Sequence, residues 1–312
     1  MSGPRVPELF EAEKVVIKKR TSEFERLVAS LDDEGMYCDD TVIVCVLYKA
    51  IAYSGAREQF EGYTPIVEHS DIKYITALVN STLITQVFRN RYATGALQGS
   101  YSDVWPQSVR DFPIRNIGFT TPQSRRNELD QQVVRLISDN AGDYQSYISS
   151  VLGFVMKRLS AQPEEADVVH DLLCNMAERM VDLNKRKQIE QERFLEWLNS
   201  VLHIAPDRRG SSGIESLTGR NKLENYAGDY QKDEPALSFM VIVDTLAKNR
   251  NRLGVSLSDA HVTNRIHAEY DKSLAVLKPI KDQLARTDAL IDQIVYKLYG
   301  LTEEDIRIIQ KQ

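Results

Sequence analysis

The stretch from Glu164 to Leu202, EEADVVHDLLCNMAERMVDLNKRKQIEQERFLEWLNSVL, contains neither glycine nor proline. Leu173, Met180, Lys187, Phe194 and Val201 recur along it every seven residues. Met176, Leu183, Glu190 and Trp197 follow three positions later. That pattern predicts one long helix with a coiled-coil-like seam, interrupted at Lys187 and Glu190. A second pattern runs from about Ser258 to Tyr299. Leu277, Leu284, Ile291 and Leu298 form its first row, and Ile280, Thr287, Ile294 and Leu301 its second. Pro279 should kink this helix or start a new segment. Gly300 is placed to stop it in the left-handed conformation, and Thr302 to cap a short last helix. The two long helices can pack as an antiparallel pair, a rod on the order of 50 Å long that serves as spacer or docking surface. Pro206 to Pro235, between them, is rich in Gly, Ser, Arg and Asp and reads as loop with little core.

Upstream the pattern changes. Lys14-Val15-Val16-Ile17-Lys18 and Thr41 to Tyr48 are β-branched runs of strand length, with a turn signal at Leu31 to Gly35 between them. A helix should follow, capped by Ser70 or Asp71 and carrying Ile75, Leu78, Val79 and Leu83 at helical spacing. A Gly-bearing segment, Thr94 to Gly99, and Phe112-Pro113-Ile114 close this part. The expectation is an α+β protein. A mixed α/β domain over 1–126 precedes a mostly helical region over 127–312 with two long antiparallel coiled-coil-like helices.

The chain has 312 residues and a net charge of −6, which argues against a protein that coats nucleic acid indiscriminately. Its distribution is uneven. Lys14 to Arg20 holds four cations and no carboxylate, and Phe88 to Arg126 holds six arginines against Asp103 and Asp111. Both stretches are basic on a chain that is acidic overall, and they are the candidates for a local DNA face. Lys18, Lys19 and Arg20 are candidates for phosphate contacts. Arg89, Arg91, Tyr92, Gln98, Arg110 and Arg115 are candidates for phosphate or base contacts, since Arg reads guanine bidentately and Gln can pair with adenine. The plainer reading of the arginines is a solvated helix end. No apolar run is long enough to span a bilayer. The opening MSGPRVPELFEAEKVV has no apolar export segment, and the three cysteines form no close pair, so a reducing cytoplasm is expected.

Catalytic signatures are sparse. There is no GxGxxG, P-loop, HExxH or GxSxG, and no NPPY-type element of the kind that holds a flipped adenine. Glu68, Asp71 and Lys73 faintly suggest a Mg²⁺ nuclease cluster, against a plainer reading of Asp71 as a helix cap. His170 and Cys174, four apart, can share a metal, against a plainer reading as a core-edge histidine beside a buried cysteine. No metal or cofactor is expected in this chain.

Ile72-Lys73-Tyr74-Ile75-Thr76-Ala77-Leu78-Val79-Asn80-Ser81-Thr82-Leu83-Ile84 resembles the "LKYLLALLNSKLL" element of TaqI-like specificity domains. In that family a Gly-bearing loop and an "lPI" strand follow, and Thr94 to Gly99 and Asp111 to Ile114 are similar to them. Glu13 to Arg20 resembles the family's opening strand. Asp167 to Leu173, Met180 to Lys185 and Thr287 to Glu304 are similar to the C-terminal region of Eco57I-type restriction–modification and phage-defence adenine methylases. There a methyltransferase domain precedes this region, and nothing precedes Met1 in this sequence. The resemblance therefore implies a detached target-recognition subunit without chemistry of its own. It would bind double-stranded DNA beside an adenine methyltransferase subunit that carries the S-adenosylmethionine. The competing expectations are a non-catalytic helical protein that regulates such an enzyme without reading DNA, and the nuclease. Partner contacts are expected at the loop Arg208 to Arg220 or on the outer helix faces. Met180, Leu183, Phe194, Leu284, Ile291 and Leu298 are expected to hold the helices together.

Overall fold

The structure, a computed structural model, describes residues 8–21, 26–47, 71–93, 102–138, 144–207 and 210–310. It is mostly helical, 64%, with a small antiparallel sheet, so helices rather than strands supply most of the core. A short helix, α1 (Glu8–Glu11), leads into strands β1 (Lys14–Lys18), β2 (Arg20–Thr21), β3 (Ala29–Asp32) and β4 (Val42–Val46). Helices α2 (Ile72–Val79) and α3 (Thr82–Phe88) follow, and a π-turn at Arg89–Ala93 ends the second. Next come β5 (Ser102–Asp103), α4 (Pro106–Arg110), α5 (Gln123–Ser138), α6 (Tyr144–Leu159) and α7 (Ala166–Leu202). The chain closes with α8 (Arg220–Glu224), α9 (Phe239–Ala247), α10 (Ala260–Leu298) and α11 (Glu303–Gln310).

The chain divides into two compact units. The first comprises Met1–Val181 and Asp288–Gln312, the second Asp182–Thr287. Residue 126, the domain boundary expected from the sequence, lies inside the first unit, where Leu129, Val133, Val151 and Phe154 share one core with Val15, Ile17, Leu78 and Ile84.

In the first unit β1 is the central strand of a three-stranded sheet, order β3-β1-β4, antiparallel throughout. Val15 and Ile17 are buried, as alternation on a half-buried strand requires. Lys14 is fully buried too, and its ammonium meets Asp32 and the carbonyl of Phe10. Strand β3 occupies part of what reads as turn at Leu31 to Gly35. Asp32 ends it by accepting the N–H groups of Glu34 and Met36 at 2.9 Å, and Gly35 takes φ 74°.

The helix expected from Asp71 onward is two helices. Asp71 caps the first by accepting the Lys73 N–H at 2.8 Å. The break comes at Asn80 and Ser81. The Asn80 amide bonds both backbone groups of Ala29 at 2.9 Å, acting as a surrogate strand beside β3. Ser81 then caps α3 on the Ile84 N–H, and Asp292 accepts from Thr82 N at 2.7 Å. A straight helix would give up these tertiary bonds, so the break is the satisfied arrangement.

The long helices α7 and α10 form where the heptad patterns predict them. The helix continues through Pro279 rather than restarting. Gly300 takes φ 66°, and Thr302 caps α11 in reciprocal bonds with Asp305. In the second unit Phe194, Leu198 and Leu202 of α7 share a core with Ile266, Tyr270 and Leu277 of α10. Glu190, a polar interruption of the heptad row, is held by Arg193, which also pairs with Glu269. Pro206 to Pro235 is not poor in core. Ile214, Leu217, Leu223 and Tyr226 are buried there, and the Tyr226 hydroxyl lies 2.6 Å from Ser273 Oγ. With Ala227, these five buried side chains anchor a segment that is otherwise mainly polar. No described helix is long and apolar enough to cross a membrane.

Candidate nucleic-acid interface

The short helix α4 joins the two basic stretches. At its start, the Val104 N–H donates to the Lys19 carbonyl at 2.6 Å, continuing the pairing of β2 with β5. Val104 is buried and fixes that strand end. Trp105, the N-cap, turns outward, and the Lys19 ammonium sits 5.1 Å from the centre of its ring. The Arg20 Nε bonds Asp103 Oδ1 at 3.2 Å. At the other end of α4, the C-cap Asp111 receives the Tyr92 hydroxyl at 2.5 Å, and its carbonyl receives Arg91 Nη1 at 3.4 Å. The bond to the Asp111 carboxylate raises the Tyr92 pKa above the ordinary phenol value, so the hydroxyl keeps its proton.

Residues some seventy positions apart in sequence thus bracket one helix about 7.5 Å long. Lys18 and Arg20 are exposed, Lys19 is half-buried against Trp105, and Arg110, the last residue of α4, is exposed. Arg89 is the half-buried C-cap of α3. Arg115 is not gathered at this edge by any bond described. Its guanidinium donates to the Leu298 carbonyl at the end of α10 and to Glu164 at 2.7 Å, so it fastens elements of the first unit. Gln98 and the glycines beside it lie outside the described residues.

A second constellation lines a polar cleft of about 720 Å³, also in the first unit. His170 Nε2 accepts the Asp71 N–H at 3.1 Å, so Nδ1 carries the ring proton and faces Asp171 at 3.1 Å. Arg126 grips the same carboxylate through Nε at 2.8 Å and Nη2 at 2.5 Å, and lies 4.7 Å from the Phe119 ring centre. Burial works against the charged form of Asp171, but the bonds from His170 and Arg126 outweigh it and hold the carboxyl below its usual range. Lys73 is paired with Glu178, and Asn175 with Asp130.

This cleft holds the described residues of both weak chemical signals, Asp71, Lys73, His170 and Cys174, each already engaged by a neighbour. Asp71 and Lys73 serve as cap and ion pair, and Glu68 lies outside the described residues. Cys174 Sγ is 3.8 Å from the nitrogen of His170 that points its proton at Asp171. Burial pushes the thiol pKa up, away from the thiolate that a nucleophile or metal ligand requires. Among the described residues no group of three or more His, Cys, Asp or Glu is placed to hold a metal ion.

Reading the sequence alone misses Trp105 and the Arg126–Asp171–His170 network. The signal for the first is Trp105-Pro106 inside the arginine-rich stretch, where proline at the first helical position fixes the turn. The second has no sequence signal, because Arg126 and Asp171 lie on different helices. Comparison with family models, curated proteins and solved structures finds no match to this chain.

Proposed function

We propose that this chain is the target-recognition part of an adenine-N6 DNA methyltransferase system of the restriction–modification or phage-defence kind. It contributes no methyl-transfer chemistry and works in the cytoplasm beside a methyltransferase subunit that binds S-adenosylmethionine. The helical region, with its coiled-coil-like seam, docks that subunit. The observation that carries this reading is the meeting of Lys19 and Arg20 with Arg91, Tyr92 and Arg110 around α4, on a chain whose net charge is −6. Cations gathered locally on an acidic protein favour a positioned contact with phosphates over general coating. The resemblance of Ile72 to Ile84 to TaqI-like specificity domains supports the same conclusion.

The test combines the purified chain with its methyltransferase. Together they should methylate adenine at one sequence, and the chain alone should transfer nothing. Unchanged sequence specificity when the chain is omitted would overturn the reading. The Arg89→Ala/Arg91→Ala double variant should lose on the order of 1–3 kcal/mol of affinity for a duplex selected from a random pool. Equal affinity of this variant and the wild type, both folded, would leave those arginines as solvated helix ends.

A further inference from the structure

Trp105 stands apart from the other side chains at this edge. Trp105 is 55% exposed, although the residue before it is buried and bonded to the Lys19 carbonyl and the residue after it is a proline. The backbone is thus held while the ring stands in water. A single exposed aromatic is ordinary on a protein surface. At this edge two exposed aromatics bracket one short helix: Trp105 at its start has the Lys19 ammonium over one face of its ring, and Tyr92 at its end shares Asp111 with Arg91. Phosphates neighbour bases, so an aromatic between cations is placed to meet a base once the cations hold the backbone. The helix between the two rings is about 7.5 Å long.

An indole gains little against the phosphate backbone or the edge of a paired base. It gains most from the flat face of a base, and within a duplex that face is open only where the stack is broken. We propose that Trp105 is a stacking residue: it inserts against a base unstacked from the duplex, so this edge favours DNA with a broken stack over fully paired DNA. This inference rests on the DNA-binding reading above. In that setting the broken stack is the one an adenine methyltransferase makes when it extrudes its target base, and the indole would stabilise the opened duplex.

The experiment uses the full chain and two probes of equal length, a mixed-sequence duplex and the same duplex with a central mismatched bubble. Wild type should bind the bubble roughly tenfold more tightly. Trp105→Ala should bind both probes alike, and Trp105→Phe should keep most of the preference. Arg20→Ala should weaken both probes equally. In a Trp197→Phe background Trp105 is the sole tryptophan, and its emission should be quenched by the bubble. A Trp105→Ala chain that still prefers the bubble, or a Trp105 emission that the bubble leaves unchanged, overturns the stacking role while DNA binding stands. A wild-type chain that binds neither probe at low salt overturns the DNA reading and this inference with it.

Discussion

Arg126 and Arg20 each pair with an aspartate, yet the Arg126–Asp171 pair keeps only 15% and 24% of its side-chain surface exposed, whereas the Arg20–Asp103 pair keeps 69% and 32%. The cleft pair sits in a closed set of bonds with His170, Asp71 and Phe119. The edge pair sits in solvent, next to other cations. An ion pair removed from water is costly to break, because the remaining charge is left without a partner. An exposed pair contributes about 0–1 kcal/mol and is readily exchanged for another anion. On the DNA-binding reading proposed above, the cleft serves the fold, and the edge would exchange its carboxylates for phosphate.

The largest effect should follow from breaking the cleft network. Arg126→Ala strips Asp171 of a bidentate partner and uncovers Phe119. The loss expected is about 2–3 kcal/mol, below the full cost of a buried pair because both groups keep some exposure. Urea denaturation measures it. The folded fraction should bind DNA as wild type does. A stable variant with impaired DNA binding would make the cleft the binding site and reverse the roles of cleft and edge.

Two interior carboxylates should respond to pH with opposite sign. Asp171 has Arg126 and His170 to itself, and its pKa is lowered. Its contribution is present above the ordinary carboxylate range and fades as pH falls. Asp288 shares Arg26 with Asp292, and burial, only partly opposed by Arg26, raises its pKa from 3.8 to about 6. Its charged form is disfavoured in the fold, so stability is lost as pH rises between those values. Asp288→Asn should gain stability relative to wild type over that interval, on the order of 2 kcal/mol. Asp171→Asn should lose stability at neutral pH and approach wild type in acid. Thermal melts across pH 2–7 check both, the acid end for Asp171 and the interval from pH 4 to 6 for Asp288. Parallel pH profiles for the two variants would contradict the assignment of one arginine per carboxylate in the cleft and one per two at Asp288.

Periodicity made the long helices legible, since a seam repeated over five turns or more outweighs any local preference. The central strand was legible because Val15, Val16 and Ile17 are β-branched. Strand β3 was not, because Ala-Ser-Leu-Asp has little β preference and is a strand only through its register with β1 and the Asn80 amide. The helix break at Asn80 depends on Ala29 and Asp292, far away in sequence. For the candidate interface, charge counting found both basic stretches. Their meeting depends on a two-residue pairing, Arg20–Thr21 with Ser102–Asp103, too short to leave a pattern. Arg115 shows the converse. It belongs to the basic stretch by sequence, and the fold commits it to Leu298 and Glu164.

The smallest effect is the most discriminating, because it separates exchange at the edge from mere exposure. Arg20→Ala should change stability by no more than about 0.5 kcal/mol, as expected for a surface substitution away from caps and core. On the proposed DNA-binding role it would remove one cation able to exchange Asp103 for a phosphate. Each phosphate neutralised releases condensed counterions, so the slope of log affinity against log salt should shrink by about 0.9. Because a phosphate carries no sequence information, the loss should be the same on every duplex. Asp103→Ala provides the opposing arm. It removes the carboxylate that competes with phosphate, so affinity should rise at low salt with little change in stability. If Arg20→Ala leaves the salt slope unchanged and Asp103→Ala leaves affinity unchanged, Arg20 stays with Asp103 in the complex. The edge would then resemble the cleft, a place where charges satisfy each other, and the exposure of its arginine would carry no functional meaning.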